Sequence, residues 1–171
     1  VVDEHYYQTP GWFLNNQHFY DMYDRSGSKV YLGEYAAHIP GRHNNMETAL
    51  SEALHLVNVE RNADVVTMTS YAPLLAKEGR TQWSPDLIYF NNSEVKPTVG
   101  YYVQKLFGEN SGTTYIPAFI KGNHDSRKVA VSFVEDGENL IIKLVNLLPV
   151  PVKSVIDLSE MGVKAAEAQL T

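Results

Sequence analysis

Glu34 directly follows the strand-like run Val30-Tyr31-Leu32-Gly33, and His5 and Tyr7 sit at the corresponding end of an earlier strand-like run, Asp3-Glu4-His5-Tyr6-Tyr7. Residues two apart share a face of a strand, so if the two strands are neighbours, a carboxylate, an imidazole and a phenol converge on one pocket. In a (β/α)8 barrel the side chains that do chemistry occupy this end of each strand. The chemistry such a set supports is carboxylate attack on a sugar. A retaining glycosidase needs one carboxylate to attack the sugar carbon and a second carboxyl, about 5 to 5.5 Å away, to protonate the leaving oxygen and later activate water. Glu34 suits the first role, and a Tyr or imidazole donor beside an attacking carboxylate favours its charged form and orients a lone pair. Each residue also has a plain structural reading. Glu34 is then a surface carboxylate after a strand, His5 and Tyr7 a buried hydrogen-bonded pair, and Trp12 ordinary packing.

Composition narrows the other classes. The 171 residues are 44% hydrophobic, enough for a real core in one or two domains. Against 14 Lys and Arg stand 20 Asp and Glu, a formal charge of -6 that presents no attractive field to phosphates. Nucleic acid and membrane are therefore not expected as partners. There is no apolar run approaching the ~20 residues of a membrane span. The chain opens on Val1 and runs straight into a strand, so removal of an upstream portion is expected. With no cysteine, thiolate metal sites and cysteine nucleophiles are excluded, and compartment is left undecided. His18, His38, His43, His55 and His124 lack zinc-type spacing, so no metal and no cofactor is expected. Neither a phosphate-cradling Gly loop nor a Gly-x-Ser-x-Gly elbow occurs.

The elements that must position these residues follow from periodicity. A strand runs from Val1 to Tyr7 and breaks at Thr9-Pro10-Gly11, followed by a loop with Trp12 and Phe13. Asn15 or Asn16 caps a short helix to about Asp24, and Lys29 to Gly33 forms the second strand. Met46, Leu50, Ala53, Leu54 and Val57 recur at helical spacing behind an Asn45 cap, with Glu47 near the positive helix end. Val65 to Thr69 reads as a strand covered on both faces. The stretch from Ala72 to Ser93 is long enough to suggest a functional loop, and Val99, Tyr102, Val103, Leu106 and Phe107 then mark a helix face ending at Gly108. This alternation specifies parallel strands with right-handed crossovers, in an open doubly wound sheet or in part of a (β/α)8 barrel.

From about Thr113 the texture changes. Tyr115-Ile116, Val129 to Val134, Leu140 to Val145 and Val152 to Ile156 are strand runs without helices between them, an antiparallel sandwich pattern. Asp136-Gly137 signals a hairpin, and Pro149 and Pro151 interrupt pairing before the last run.

Three segments carry a family resemblance: Asp3-Glu4-His5-Tyr6-Tyr7, then Lys29-Val30-Tyr31-Leu32-Gly33-Glu34-Tyr35-Ala36, then Trp83-Ser84-Pro85-Asp86-Leu87-Ile88-Tyr89-Phe90. With the helix around Leu56-Val57-Asn58 and the Ala72-Pro73-Leu74-Leu75 loop, they resemble the α-L-arabinofuranosidases of glycoside hydrolase family 51 from residue 1 to about 110. The resemblance implies α/β followed by all-β. Residues 1–110 would hold the last three strands of a (β/α)8 barrel, and 111–171 part of an antiparallel β-sandwich. It implies metal-free, retaining removal of terminal arabinofuranosyl groups from plant polysaccharides. Glu34 matches the nucleophile and His5 and Tyr7 match pocket residues. Asp86 falls near a sugar-contacting position, and His38 stands where some relatives have a pocket Trp. Trp12 is taken as a further sugar contact. The family acid/base, a Glu after Asn on an earlier strand, has no counterpart, so this chain alone is expected to be inactive. Two other readings remain: a sandwich module from Thr113 that binds glycan or a partner without catalysis, and another retaining hydrolase of the same barrel clan acting on xylan or glucan. Unpaired sheet edges suggest a homo-oligomer in either case.

Overall fold

The computed structural model describes residues 1–122, 126–162 and 167–171; His124 lies outside them. Its first sheet is parallel, with β1 (Val2–Gln8), β2 (Val30–Ala37) and β3 (Val66–Thr69) in that order. Between β1 and β2 lie α1 (Pro10–Asn15) and a 3-10 turn, Phe19–Met22. The Thr9-Pro10-Gly11 break is therefore a helix start, not a loop. Thr9 Oγ1 accepts from the Trp12 amide, and Pro10 occupies the first turn, where a missing N–H is harmless. The helix expected to reach Asp24 is reduced to the 3-10 turn, whose Tyr20 is buried.

α2 (Met46–Arg61) joins β2 to β3. Its start is a capping box: the Asn45 side chain accepts from Thr48 N at 3.0 Å, while Thr48 Oγ1 accepts from Asn45 N at 3.0 Å. Residues 51–58 are all buried, since the helix is covered on several sides. One core cluster sets Leu56 with Tyr20, Val30, Leu32, Tyr35, Val65 and Val66 of the parallel sheet and its surroundings. A second sets Ala53, Leu54 and Val57 against Ala130 and Val145 of the antiparallel sheet. Burying one such Leu contributes about 1.5–3 kcal/mol, so α2 is the element that holds the two sheets together. Glu60 at its end also takes Lys143 Nζ at 2.5 Å and the Ser132 hydroxyl.

The stretch from Ala72 to Ser93 is not wholly irregular. β4 (Leu75–Lys77) and β5 (Ile88–Phe90) pair in parallel, and β6 (Val95–Pro97) adds antiparallel to β5. α3 (Val99–Glu109) follows and runs one residue past Gly108. Val103 and Phe107 face the core, but Tyr102 and Leu106, expected on the same face, are exposed. On β3, Val66 is buried while Thr67 and Met68 are exposed, so the expected cover on both faces is absent here.

The third sheet is antiparallel, β7 (Thr114–Ile116), β8 (Val129–Asp136) and β9 (Asn139–Asn146). Asp136 pairs with Asn139 across a two-residue turn in which Gly137 has φ 60, a conformation glycine adopts without penalty. Val152 to Ile156, expected as a strand, forms none; Pro149 and Pro151 remove the donors a ladder would need there.

Candidate active site

β2 changes phase at Gly33. Val30, Leu32 and Tyr35 all enter the core, a spacing of two and then three, because Glu4 pairs with Leu32 but His5 pairs with Glu34, leaving Gly33 as one extra residue. In an unbroken strand Leu32 and Glu34 would share a face. The bulge instead turns Glu34 to the side carrying His5 and Tyr7. Gly33 leaves room for two side chains: a Cβ would stand 2.1 Å from Asp3 Oδ1 and 2.8 Å from His5 Nε2, so both would have to shift. Its carbonyl accepts from Ser70 Oγ at 2.5 Å, and Ser70 also bonds Tyr31 Oη at 2.8 Å, which anchors the bulge to the segment after β3. β2 extends past the expected Gly33 end to Ala37, so Glu34 lies within the strand, not after it.

The structure brings Glu34, Tyr7 and His5 together. Tyr7 Oη donates to Glu34 Oε2 at 2.5 Å, and His5 Nδ1 stands 3.7 Å from the same oxygen. The other ring nitrogen of His5 is 3.0 Å from Asp3 Oδ2, which fixes the imidazole plane between two carboxylates. Burial, then the bond and charge of Glu34, push the Tyr7 phenol well above its usual range, so it remains a donor. His38 stacks on Tyr7 with ring centres 5.1 Å apart and 20° between planes. Burial, then Arg42, lower the His38 imidazole, which favours the neutral ring.

These side chains line a cleft of about 430 Å³ formed by Tyr7, Glu34, His38, Arg42, Ala72, Pro73, Trp83 and Ser84. Its rim is two loops tied together. Ser84 Oγ donates to the Arg42 carbonyl at 3.2 Å, and Asn44 Nδ2 to the Asp86 carbonyl at 2.6 Å. Trp83, at the same rim, is 64% exposed.

Two expected site residues are elsewhere. Asp86 is buried, its amide donating to Tyr89 Oη at 2.9 Å and its carboxyl receiving Thr81 Oγ1 at 3.3 Å, so it braces the rim from behind. Burial raises its carboxyl, partly offset by Thr81. Trp12 packs its ring against Tyr6, Phe13 and Phe19 and does not line the cleft. Asp3, Gly33, Arg42 and Trp83 escaped the sequence reading as site residues. For Asp3 a signal was present, since it shares the i, i+2 alternation of His5 and Tyr7. For Arg42 there was none, its placement depending on a φ of 50 after Gly41. Among the described residues no group of three or more His, Asp and Glu is arranged to hold a metal ion.

A parallel sheet bearing this carboxylate site belongs to a recurrent fold. The chain is similar to an arabinose-bound family 51 α-L-arabinofuranosidase, with TM-score 0.77 and 32% identity over 85% of this chain and 25% of that one. It also shares the fold, at 13% identity and TM-score 0.62, with the arabinose complex of the Thermotoga maritima α-L-arabinofuranosidase, over 85% of this chain and 37% of that one. An extracellular exo-α-L-arabinofuranosidase of Streptomyces chartreusis is 52% identical over 118 residues, 69% of this chain, and α-L-arabinofuranosidase 2 of Arabidopsis thaliana is 37% identical over 147 residues, 84% of it. The α-L-arabinofuranosidase C-terminal domain family matches residues 18–170. The chain belongs to the family 51 α-L-arabinofuranosidases and corresponds to their C-terminal part. It spans 14% and 22% of the length of these two sequence relatives.

Proposed function

We propose that this chain is the C-terminal part of a retaining α-L-arabinofuranosidase acting on arabinose-containing poly- or oligosaccharides, with Glu34 as its nucleophile. The observation that carries this reading is the donation from Tyr7 Oη to Glu34 Oε2 at 2.5 Å on the face set by the Gly33 bulge. Tyr7 and His5 converge on one carboxylate oxygen, leaving the other to attack the anomeric carbon. The sugar–oxygen bond breaks as a covalent glycosyl ester forms, and water later cleaves that ester. The His38 and Trp83 rings, which line the same cleft, supply flat surfaces for a sugar beside the carboxylate.

β1 to β3, parallel and in sequential order with α2 against one face, fit the last strands of a (β/α)8 barrel within residues 1–110. β7 to β9 fit part of a sandwich within 111–171. Among the described cleft-lining residues Glu34 is the lone carboxylate. We assign the acid/base to the rest of the enzyme and expect this chain alone to be inactive.

The test is turnover of an aryl arabinofuranoside by the full-length enzyme. Glu34→Gln should lose on the order of a thousandfold or more in kcat, as removal of a covalent catalyst does. A loss of only a few-fold would reject the nucleophile role.

A further inference from the structure

Behind the cleft, Glu52 of α2 is fully buried, yet it does not belong to the apolar packing around it. Its Oε1 accepts two bonds, from the Ala37 amide at 2.8 Å and from Tyr71 Oη at 3.2 Å. Both donors adjoin cleft walls: Ala37 precedes His38, and Tyr71 precedes Ala72 and Pro73. The reason a side chain is needed at Ala37 lies in sheet topology. β3 pairs with β2 only as far as Leu32 and Thr69, so the last residues of β2 have no strand on that edge. A buried amide without a partner is strongly disfavoured, and the Glu52 carboxyl takes the place of the missing strand. α3 closes over the same group. A Cβ on Gly100 would stand 3.4 Å from Glu52 Oε2, and Gln104 binds Tyr35 Oη through its own Oε1 at 2.6 Å.

We propose that Glu52 is a positioning residue of the cleft, one carboxyl oxygen joining the end of β2 to the segment after β3 and so fixing the His38 wall and the Ala72-Pro73 wall relative to each other. This rests on the reading of the cleft as the sugar site. The joint is sensitive to charge. Glu52 Oε2 and the Gln104 amide nitrogen complete no hydrogen bond of good geometry among the described residues, although Gln104 favours the charged form, so an ionised carboxyl would hold buried charge with its close donors on one oxygen. Burial accordingly pushes this carboxyl up to about 7, against the lowering from Ala37, Tyr71 and Gln104. The titratable groups facing it are Tyr35 from β2 and Tyr71 from the segment after β3. Burial, followed by the Glu52 charge, raises both, so they stay protonated. Below about pH 7 the clamp is neutral; above it the clamp carries charge and loosens.

The experiment compares wild type, Glu52→Gln, Glu52→Leu and Tyr71→Phe in the full-length enzyme, reading kcat and KM for an aryl arabinofuranoside from pH 5 to 8.5. Gln keeps the acceptor oxygen and is neutral throughout, so its kcat/KM should lie within about threefold of wild type at pH 5, and the ratio of variant to wild type should rise about three- to tenfold by pH 8.5. Leu leaves the Ala37 amide and the Tyr71 hydroxyl without acceptors and should lose about tenfold or more, chiefly through KM. Tyr71→Phe cuts one arm of the clamp and should raise KM by about threefold without altering the fold, which keeps the test decisive if the Leu variant does not fold. A Gln-to-wild-type ratio flat with pH, or a wild-type KM in Tyr71→Phe, overturns the proposal. Glu34→Gln in the same assay separates the two claims. If that variant stays active, the reading of the cleft fails. If it is dead while the Glu52 and Tyr71 variants match wild type, the positioning role alone fails.

Discussion

Glu34, within β2, and Glu52, bonded from α2 to the end of the same strand, meet opposite environments. Glu34 is half exposed, with a phenol at 2.5 Å and an imidazole at 3.7 Å on one oxygen. Glu52 is sealed behind the strand, with a backbone amide and a phenol on one oxygen and, among the described residues, no completed hydrogen bond on the other. Each carboxyl is paired with a tyrosine, so donor type does not separate them. Solvent access does. A carboxylate reached by water and donors can carry charge and react, whereas one enclosed by α2, α3 and Tyr35 serves as a structural link best left neutral. The same strand supplies both settings because one extra residue, Gly33, reverses its inward and outward sides.

The sharpest way to break this contrast is Glu34→Gln. Its expected loss of on the order of a thousandfold in kcat should come without a change in melting temperature, because no core contact is removed. Next in size is Gly33→Ala. The added Cβ collides with the side-chain ends of Asp3 and His5, and relieving that clash displaces the imidazole beside Glu34. About a hundredfold lower kcat/KM is expected, with little change in denaturant unfolding because the displaced side chains are half exposed. Tyr7→Phe removes the hydrogen bond to Glu34, about 1.5–3 kcal/mol, and should lower kcat/KM about 10- to 100-fold.

The smallest effects are in the pH dependence of stability, on the buried side. The Glu52 carboxyl rises from 4.5 unfolded to about 7 folded, so its contribution is complete below pH 4.5 and is lost as pH rises through 7. Stability of wild type relative to Glu52→Gln should therefore fall by up to roughly 3 kcal/mol over that window. His55, whose Nε2 bonds Tyr6 Oη at 2.8 Å, moves the other way. Burial lowers it from 6.5 to about 3, so its contribution is present above pH 6.5 and is lost as pH falls towards 3. Denaturant midpoints measured at pH 4, 6 and 8 check both signs.

Much of the framework was legible in the chain. The α2 pattern with its Asn45 cap, the parallel order of the first three strands and the Asp136-Gly137 turn all follow from local chemistry, because caps, periodicity and glycine conformations are set within a few residues. Misreadings arose where neighbours in space decide. Thr9-Pro10-Gly11 reads as a break, yet Thr9 caps a helix with Pro10 in its first turn, and that helix buries Phe13. Val152 to Ile156 has strand composition but pairs with no strand. Trp12 and Asp86 have residue types suited to sugar contact, yet aromatic packing claims the first and the rim claims the second.

By itself the sequence determined that an acidic side chain adjoins a strand-like run, that a His and a Tyr share one face of the run before it, and that a capped helix comes next in the chain. The tertiary structure alone decided which way Glu34 points, because the phase slip at Gly33 exists only as a mismatch between two paired strands. It alone decided as well that Glu52 is sealed from water, since burial belongs to three converging elements and not to any one of them.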